Sequence, residues 1–106
     1  MPLGDLEQLV MLALMHLDDG GFGAAVQREI EERTERAVSL GAVYTALSRL
    51  EEKGFILSHV GDPLPQRGGR RRRIYRLQPE GRVAISEAYR AITELSRGLR
   101  ARLEST

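Results

Sequence analysis

A chain of 106 residues has room for one small domain, and 42% hydrophobic with 29% charged residues is a folded rather than a disordered profile. The absence of cysteine excludes disulfides and thiolate metal sites. The net charge of +1 hides a polarity: residues 1–66 carry five basic and eleven acidic side chains, net −6, and residues 67–106 carry eleven basic and four acidic, net +7. That asymmetry suggests a basic surface aimed at an anionic partner, although a dipolar domain without such a partner has the same signature.

The first segment, GDLEQLVMLALMHL, places Leu6, Leu9, Val10, Ala13, Leu14 and Leu17 on one helical stripe, with Asp5 as the expected N-cap. Met11, Leu12 and Met15 fall outside it. A helix apolar nearly all round must be covered on both sides, and in so small a domain the second cover is expected from another chain. The apolar run at residues 9–17 is too short to span a bilayer and lacks a basic leader, so the chain reads as soluble and cytoplasmic.

After the turn DDGG, Phe22, Val26 and Ile30 mark one face of a second helix running to about Arg36, with a solvated charged face opposite. The third helix, over residues 39–53, opens with Ser39 as N-cap and stops at Gly54. Leu40, Val43, Leu47 and Leu50 form its core stripe. Its other face holds Gly41, Ala42, Tyr44, Thr45, Ser48 and Arg49, small and polar where a solvated face would carry Glu and Lys.

Two strand-like runs, FILSHV and RIYRL, flank a turn-rich basic loop and read as a β-hairpin with a long tip over residues 61–73. Period-two alternation puts Tyr75 and Leu77 on one face of the returning strand and Ile74 and Arg76 on the other. Gly68 and Gly69 let the tip turn, and Arg67, Arg70, Arg71 and Arg72 are expected to project from it. The last segment starts with Pro79 in a first helical turn. Ile85, Ala88, Ile92, Leu95, Leu99 and Leu103 then recur at near-heptad spacing. One helix of about 26 residues, roughly 39 Å, is predicted, with Gly98 a local weakness.

Helix, helix, helix, hairpin is the order of a winged helix-turn-helix. The expected fold is mainly α with a small β-hairpin wing: residues 1–78 form the DNA-binding unit and residues 79–106 a long C-terminal dimerisation helix. Arginines at a flexible tip suit phosphates or a minor groove. On the third helix, Gly41 and Ala42 permit close approach, the N-cap Ser39 is counted among the DNA contacts, Thr45 and Ser48 donate or accept, Arg49 suits guanine or phosphate, and Tyr44 suits phosphate or simple edge packing. His16 reads as a packed or interface histidine and His59 as a phosphate contact or an exposed side chain. No carboxylate pair, nucleophile–base pair or metal-ligand spacing stands out, so neither an enzyme nor a metal or cofactor site is expected. The competing reading is a winged-helix protein-interaction module gripping an acidic partner through the wing; an RNA-binding winged helix fits the same residues.

The stretches LEQLVMLAL, FGAAVQREIEERT, SLGAVYTALSRLEEKGFI and RRRIYRLQPEGR resemble the PadR family of bacterial transcriptional regulators over residues 6–82. The resemblance implies a homodimeric repressor that binds an inverted-repeat operator in double-stranded DNA and associates with the nucleoid when bound. It also implies a C-terminal helix crossing to the partner's first helix. On that basis Met11, Leu12, Met15, Ile85, Ala88, Ile92, Leu95, Leu99 and Leu103 are the expected dimer contacts. Two departures stand out: Ala24 and Ala25 replace the family's usual aromatic and acidic residues, and Gln78 replaces a common threonine cap. The likeness is to compact members with no separate effector domain. With no Trp, three Tyr and two Phe, the chain has little material for an aromatic-lined drug pocket; a small-molecule effector is left unknown.

Overall fold

The structure, a computed structural model, describes residues 3–63 and 71–105. The elements run α1 (Asp5–His16), β1 (Gly20–Phe22), α2 (Gly23–Thr34), α3 (Leu40–Glu52), β2 (Ile56–Pro63), β3 (Arg71–Leu77), α4 (Pro79–Ser96) and α5 (Arg100–Glu104). Helices α1, α2 and α3 pack against one another around Val10, Leu14, Val26, Val43, Leu47 and Leu50, all fully buried. Each such side chain contributes about 1.5–3 kcal/mol by leaving water. Tyr75 and Leu77 close the core from β3, as the alternation predicts. Leu40 does not join it: at the mouth of α3 it stays exposed, and Ala46 fills the stripe instead.

The start of α1 differs from expectation. Gly4, not Asp5, is the N-cap, and its N–H donates to Glu7 Oε1 at 2.7 Å. The same carboxylate accepts from Lys53 Nζ at 2.7 Å, so a buried ion pair ties the first turn of α1 to the C-terminal end of α3. Met11 is fully buried in the chain's own core rather than facing a partner. The covered arc of α1 extends across it because α2, α3, β3 and α4 all close on this helix.

The sheet has three strands in the order β1-β3-β2, one more than the hairpin predicted. Gly20 pairs with Arg76 and Phe22 with Ile74. Three residues show no alternation to read; the strand exists because β3 offers them an open edge. Asp18 and Asp19, both left-handed with φ of 58° and 66°, turn the chain into it, a conformation aspartate tolerates better than most residues. The Asp19 N–H returns to Leu14 O at 2.8 Å, and Leu77 N–H donates to Asp19 O at 2.8 Å.

Helix α4 leaves the domain at a close contact. A Cβ on Gly81 would collide with the carbonyl oxygen of Phe55, so only glycine lets α4 lie this near the α3–β2 turn. Gln78 occupies the N-cap without a side-chain cap hydrogen bond. The apolar stripe of α4 starts inside: Ile85, expected at the dimer contact, is a core residue. Beyond it, Ile92 is 60% and Leu95 85% exposed. The single long helix is not found. Gly98, with φ of +85°, breaks it, and the last segment restarts as the short α5. A left-handed glycine cannot continue a right-handed helix, so Leu99 and Leu103 leave the straight seam.

Candidate nucleic-acid interface

Helix α3 is capped as the sequence predicts: Ser39 Oγ accepts from Ala42 N–H at 3.0 Å. Burying Val43, Ala46, Leu47 and Leu50 turns Gly41, Tyr44, Thr45, Ser48 and Arg49 to solvent, with Ala42 half-buried at the edge. Residues 40–50 contain no acid, so nothing on this stretch repels a phosphate backbone. A Cβ at Gly41 would meet nothing within 4 Å, which leaves the backbone there open to close approach. Thr45 Oγ1 donates to Gly41 O at 3.0 Å, leaving its lone pairs and methyl group outward. Ser48 and Arg49 make no side-chain hydrogen bond among the described residues. The Tyr44 ring lies over Gly23, where a Cβ would come within 2.6 Å of it. Tyr44 is therefore both edge packing and partly exposed, with α2 setting its position.

The root of the wing is bound to α3. Glu51 Oε2 accepts from Ser58 N–H at 3.1 Å and from Ser58 Oγ at 2.8 Å, and Arg73 Nη1 donates to Ser58 Oγ at 3.1 Å. Of the expected tip arginines, Arg67 and Arg70 lie outside the described residues. Arg71 and Arg72 are strand residues of β3 rather than tip residues. The Arg72 guanidinium sits 4.1 Å from the Phe22 ring centroid. The cation–π contact contributes about 0.5–1 kcal/mol at an exposed site. A β1 strand hidden from periodicity thus orients a wing cation. Arg73, at the wing root, was missed because its partner Ser58 is distant in sequence.

Beneath this surface the Glu7 carboxyl is shifted. Burial alone would raise it, but hydrogen bonds from Lys53 and Gly4, with the charges of Lys53 and Arg49, outweigh burial and hold it below the usual carboxylate range. Burial pushes the Tyr75 phenol up, which keeps it neutral in the core.

A second surface has the opposite chemistry. Leu12 and Met15 on α1 are exposed, as are Tyr89, Ile92 and Leu95 on α4, with Ala88 half-buried on the same side of α4. Tyr89 was not among the expected contacts, because it flanks the heptad positions; Val83, also exposed, lies on the opposite side of α4 beside Ser86, Glu87 and Arg90. Between α1 and α2 lies a shallow apolar groove of about 170 Å³ lined by Leu9, Leu12, Ala13 and Ile30. His16, expected to be a packed or interface histidine, is not packed in the chain's own core and stands exposed at its rim. Among the described residues no cluster of His, Asp or Glu could hold a metal, and no helix is long and apolar enough to cross a membrane.

The family model described as Transcriptional regulator PadR-like family matches residues 11–87. The chain belongs to that family. This PadR-type chain is 39% identical over 92 residues to Transcriptional regulator Rv3488 of Mycobacterium tuberculosis, covering 83% of this chain and 79% of that protein. A PadR family transcription regulator from Clostridium difficile superimposes with a TM-score of 0.77 at 25% identity, over 94% of this chain and 99% of that one. F93 from STIV, a winged-helix DNA-binding protein, matches with a TM-score of 0.73 at 12% identity, over 92% and 98% of the two chains, and speaks for the fold. The PadR-type chain is a DNA-binding transcriptional regulator on a winged helix-turn-helix.

Proposed function

We propose that this regulator is a homodimeric repressor that reads an inverted-repeat operator in double-stranded DNA with α3 and grips its backbone with the wing. The outer face of α3 carries the reading: Gly41, Thr45, Ser48 and Arg49 are exposed together, small or polar, with no acid among them. Gly41, Thr45, Ser48 and Arg49 are assigned to base edges, Ser39, Ala42 and Tyr44 to the flanking backbone, and the arginines at 67 and 70–72 to phosphates. Residues 79–106 act as the dimerisation arm. The support for this is the stripe of α4, which is buried at Ile85 and emerges into solvent at Ile92 and Leu95. Two-fold symmetry would set half-site centres about 10 base pairs apart or a multiple.

The alternative, a module gripping an acidic protein, wants apolar or aromatic anchors at the centre of its contact. The outer face of α3 offers Tyr44, whose ring is seated on Gly23, and Leu40 at the mouth of the helix, both at the edge of the face rather than its centre. Selection of bound sequences from random duplex DNA tests the proposal directly and should return a two-fold symmetric site. Arg49→Ala should then cost about 1–3 kcal/mol on the selected duplex and much less on random DNA. Equal losses on both would make Arg49 a backbone contact, and no enriched sequence would overturn base reading altogether.

A further inference from the structure

The five-residue link between α2 and α3 is held from one side by two residues of α2. Gln27 Nε2 donates to the carbonyl oxygen of Val38 at 2.9 Å, and Glu31 Oε2 accepts from the Val38 N–H at 3.2 Å. Gln27 and Glu31 stand four apart, one helical turn, and therefore share a face of α2. Together they take both backbone groups of one residue. Val38 packs its side chain partly into the core and directly precedes the N-cap Ser39. Upstream, Thr34 Oγ1 accepts from Arg36 N–H at 3.2 Å, and Glu35 turns left-handed with φ of 57°. A left-handed residue that is not glycine is a natural place for a link to pivot unless its far end is fixed.

We propose that Gln27 and Glu31 are positioning residues for operator discrimination: their two-point hold on Val38 sets where the N-terminal end of α3 enters the groove. The inference rests on α3 being the base-reading helix. Neither side chain lies on the DNA-facing side of α3, and Glu31 as an acid would repel phosphate, so both act through Val38 and not by touching DNA. Hydrogen bonds to the two peptide units that flank the Val38 Cα fix direction as well as distance. Gly41, Thr45, Ser48 and Arg49 follow Val38 on a rigid helix, so a small rotation at the link moves all of them together. Phosphate contacts tolerate such a rotation better than bidentate base contacts do, because only the latter demand a fixed orientation.

The roles of the two residues differ chemically. Glu31 needs only an acceptor, which glutamine also has; Gln27 needs a donor, which glutamate lacks. Glu31→Gln should therefore keep the ratio of operator to random-duplex affinity. Gln27→Met, close in volume and unable to donate, should lower that ratio by about tenfold, the order expected for one net hydrogen bond passed on to binding. Its affinity for random duplex should be little changed. Gln27→Glu, which sets a carboxylate against a carbonyl and beside Glu31, should lower the ratio further. Amide exchange gives a second readout: the α3 first turn, including Ala42 and Val43, should lose protection in Gln27→Met and keep it in Glu31→Gln. Arg49→Ala is measured alongside. If it lowers the ratio while Gln27→Met, folded, leaves both ratio and protection at wild-type values, the positioning role is overturned and base reading by α3 stands. If Arg49→Ala leaves the ratio unchanged as well, base reading itself fails. If Gln27→Met and Glu31→Gln lose the ratio equally, the effect is not the hydrogen bond to Val38, and the inference also falls.

Discussion

Helices α3 and α4 both carry one apolar stripe, and they end up opposite in character. The stripe of α3 is buried from Val43 to Leu50, and what it leaves outside is mostly glycine, hydroxyls and one arginine, with Leu40 and the Tyr44 ring at one edge. The stripe of α4 is buried only through Ile85, and what it leaves outside is Ile92 and Leu95. Water solvates most of the first surface without penalty. The second exposes hydrocarbon at about 25 cal/mol per Å². A polar face suits a partner that comes and goes, while an apolar face suits one that stays. That contrast is why operator DNA is assigned to the one and a second copy of the chain to the other.

The sharpest way to break the comparison is to charge the apolar face. Both Ile92 and Leu95 are largely solvent-exposed in the single chain, so Ile92→Asp with Leu95→Asp should leave the fold of each protomer intact. Placed in a dimer contact, each unpaired charge costs several kcal/mol. Sedimentation should report a monomer, with operator affinity down by orders of magnitude while residual salt-sensitive binding survives. A dimer that persists would remove this face of α4 from the interface.

A smaller effect probes the link between the surfaces. The Glu7–Lys53 pair joins α1, which packs against α4, to the end of α3. Removing its charge with Glu7→Gln should cost about 1.5–3 kcal/mol at neutral pH, the range for a hydrogen bond to a charged group. The folded carboxyl sits below its ordinary value of 4.5. Its stabilisation is therefore complete above that value and is lost as the pH falls through the folded pKa. Thermal melts of the two proteins should differ most near neutrality and converge in acid below pH 4.5; a gap that stays constant through acid would show that the carboxylate charge contributes nothing.

The smallest change in stability should fall on the polar face, with its sign reversed. Gly41→Ala adds a methyl group with nothing within 4 Å of it. Within a helix it should stabilise the free protein by about 0.5–1 kcal/mol. If the backbone at Gly41 approaches base edges, the same methyl should weaken operator binding. Higher thermal stability with undiminished affinity would move Gly41 away from the bases.

Local chemistry was enough to read the elements whose signals are contiguous. The spacing of Val43, Leu47 and Leu50, with Ser39 before and Gly54 after, determined α3 and which of its faces is free. The Tyr75–Leu77 alternation determined which side of β3 is buried. The Asp-Asp-Gly-Gly stretch read as a plain turn and Phe22 as part of the second helix, because a three-residue strand gains its hydrogen bonds entirely from β3, far along the chain. Met11 and Ile85 looked like contact residues because periodicity shows which positions are apolar, not how many neighbours converge on them. The hold of Glu7 on Lys53, of Glu51 on Ser58 and of Arg72 on Phe22 joins residues with no pattern between them. Sequence by itself determined the stripes, caps and breaks, since those depend on neighbours within a few residues. Only the tertiary structure decided which stripe was used up inside the chain and which was left for something else, because burial depends on the convergence of distant elements.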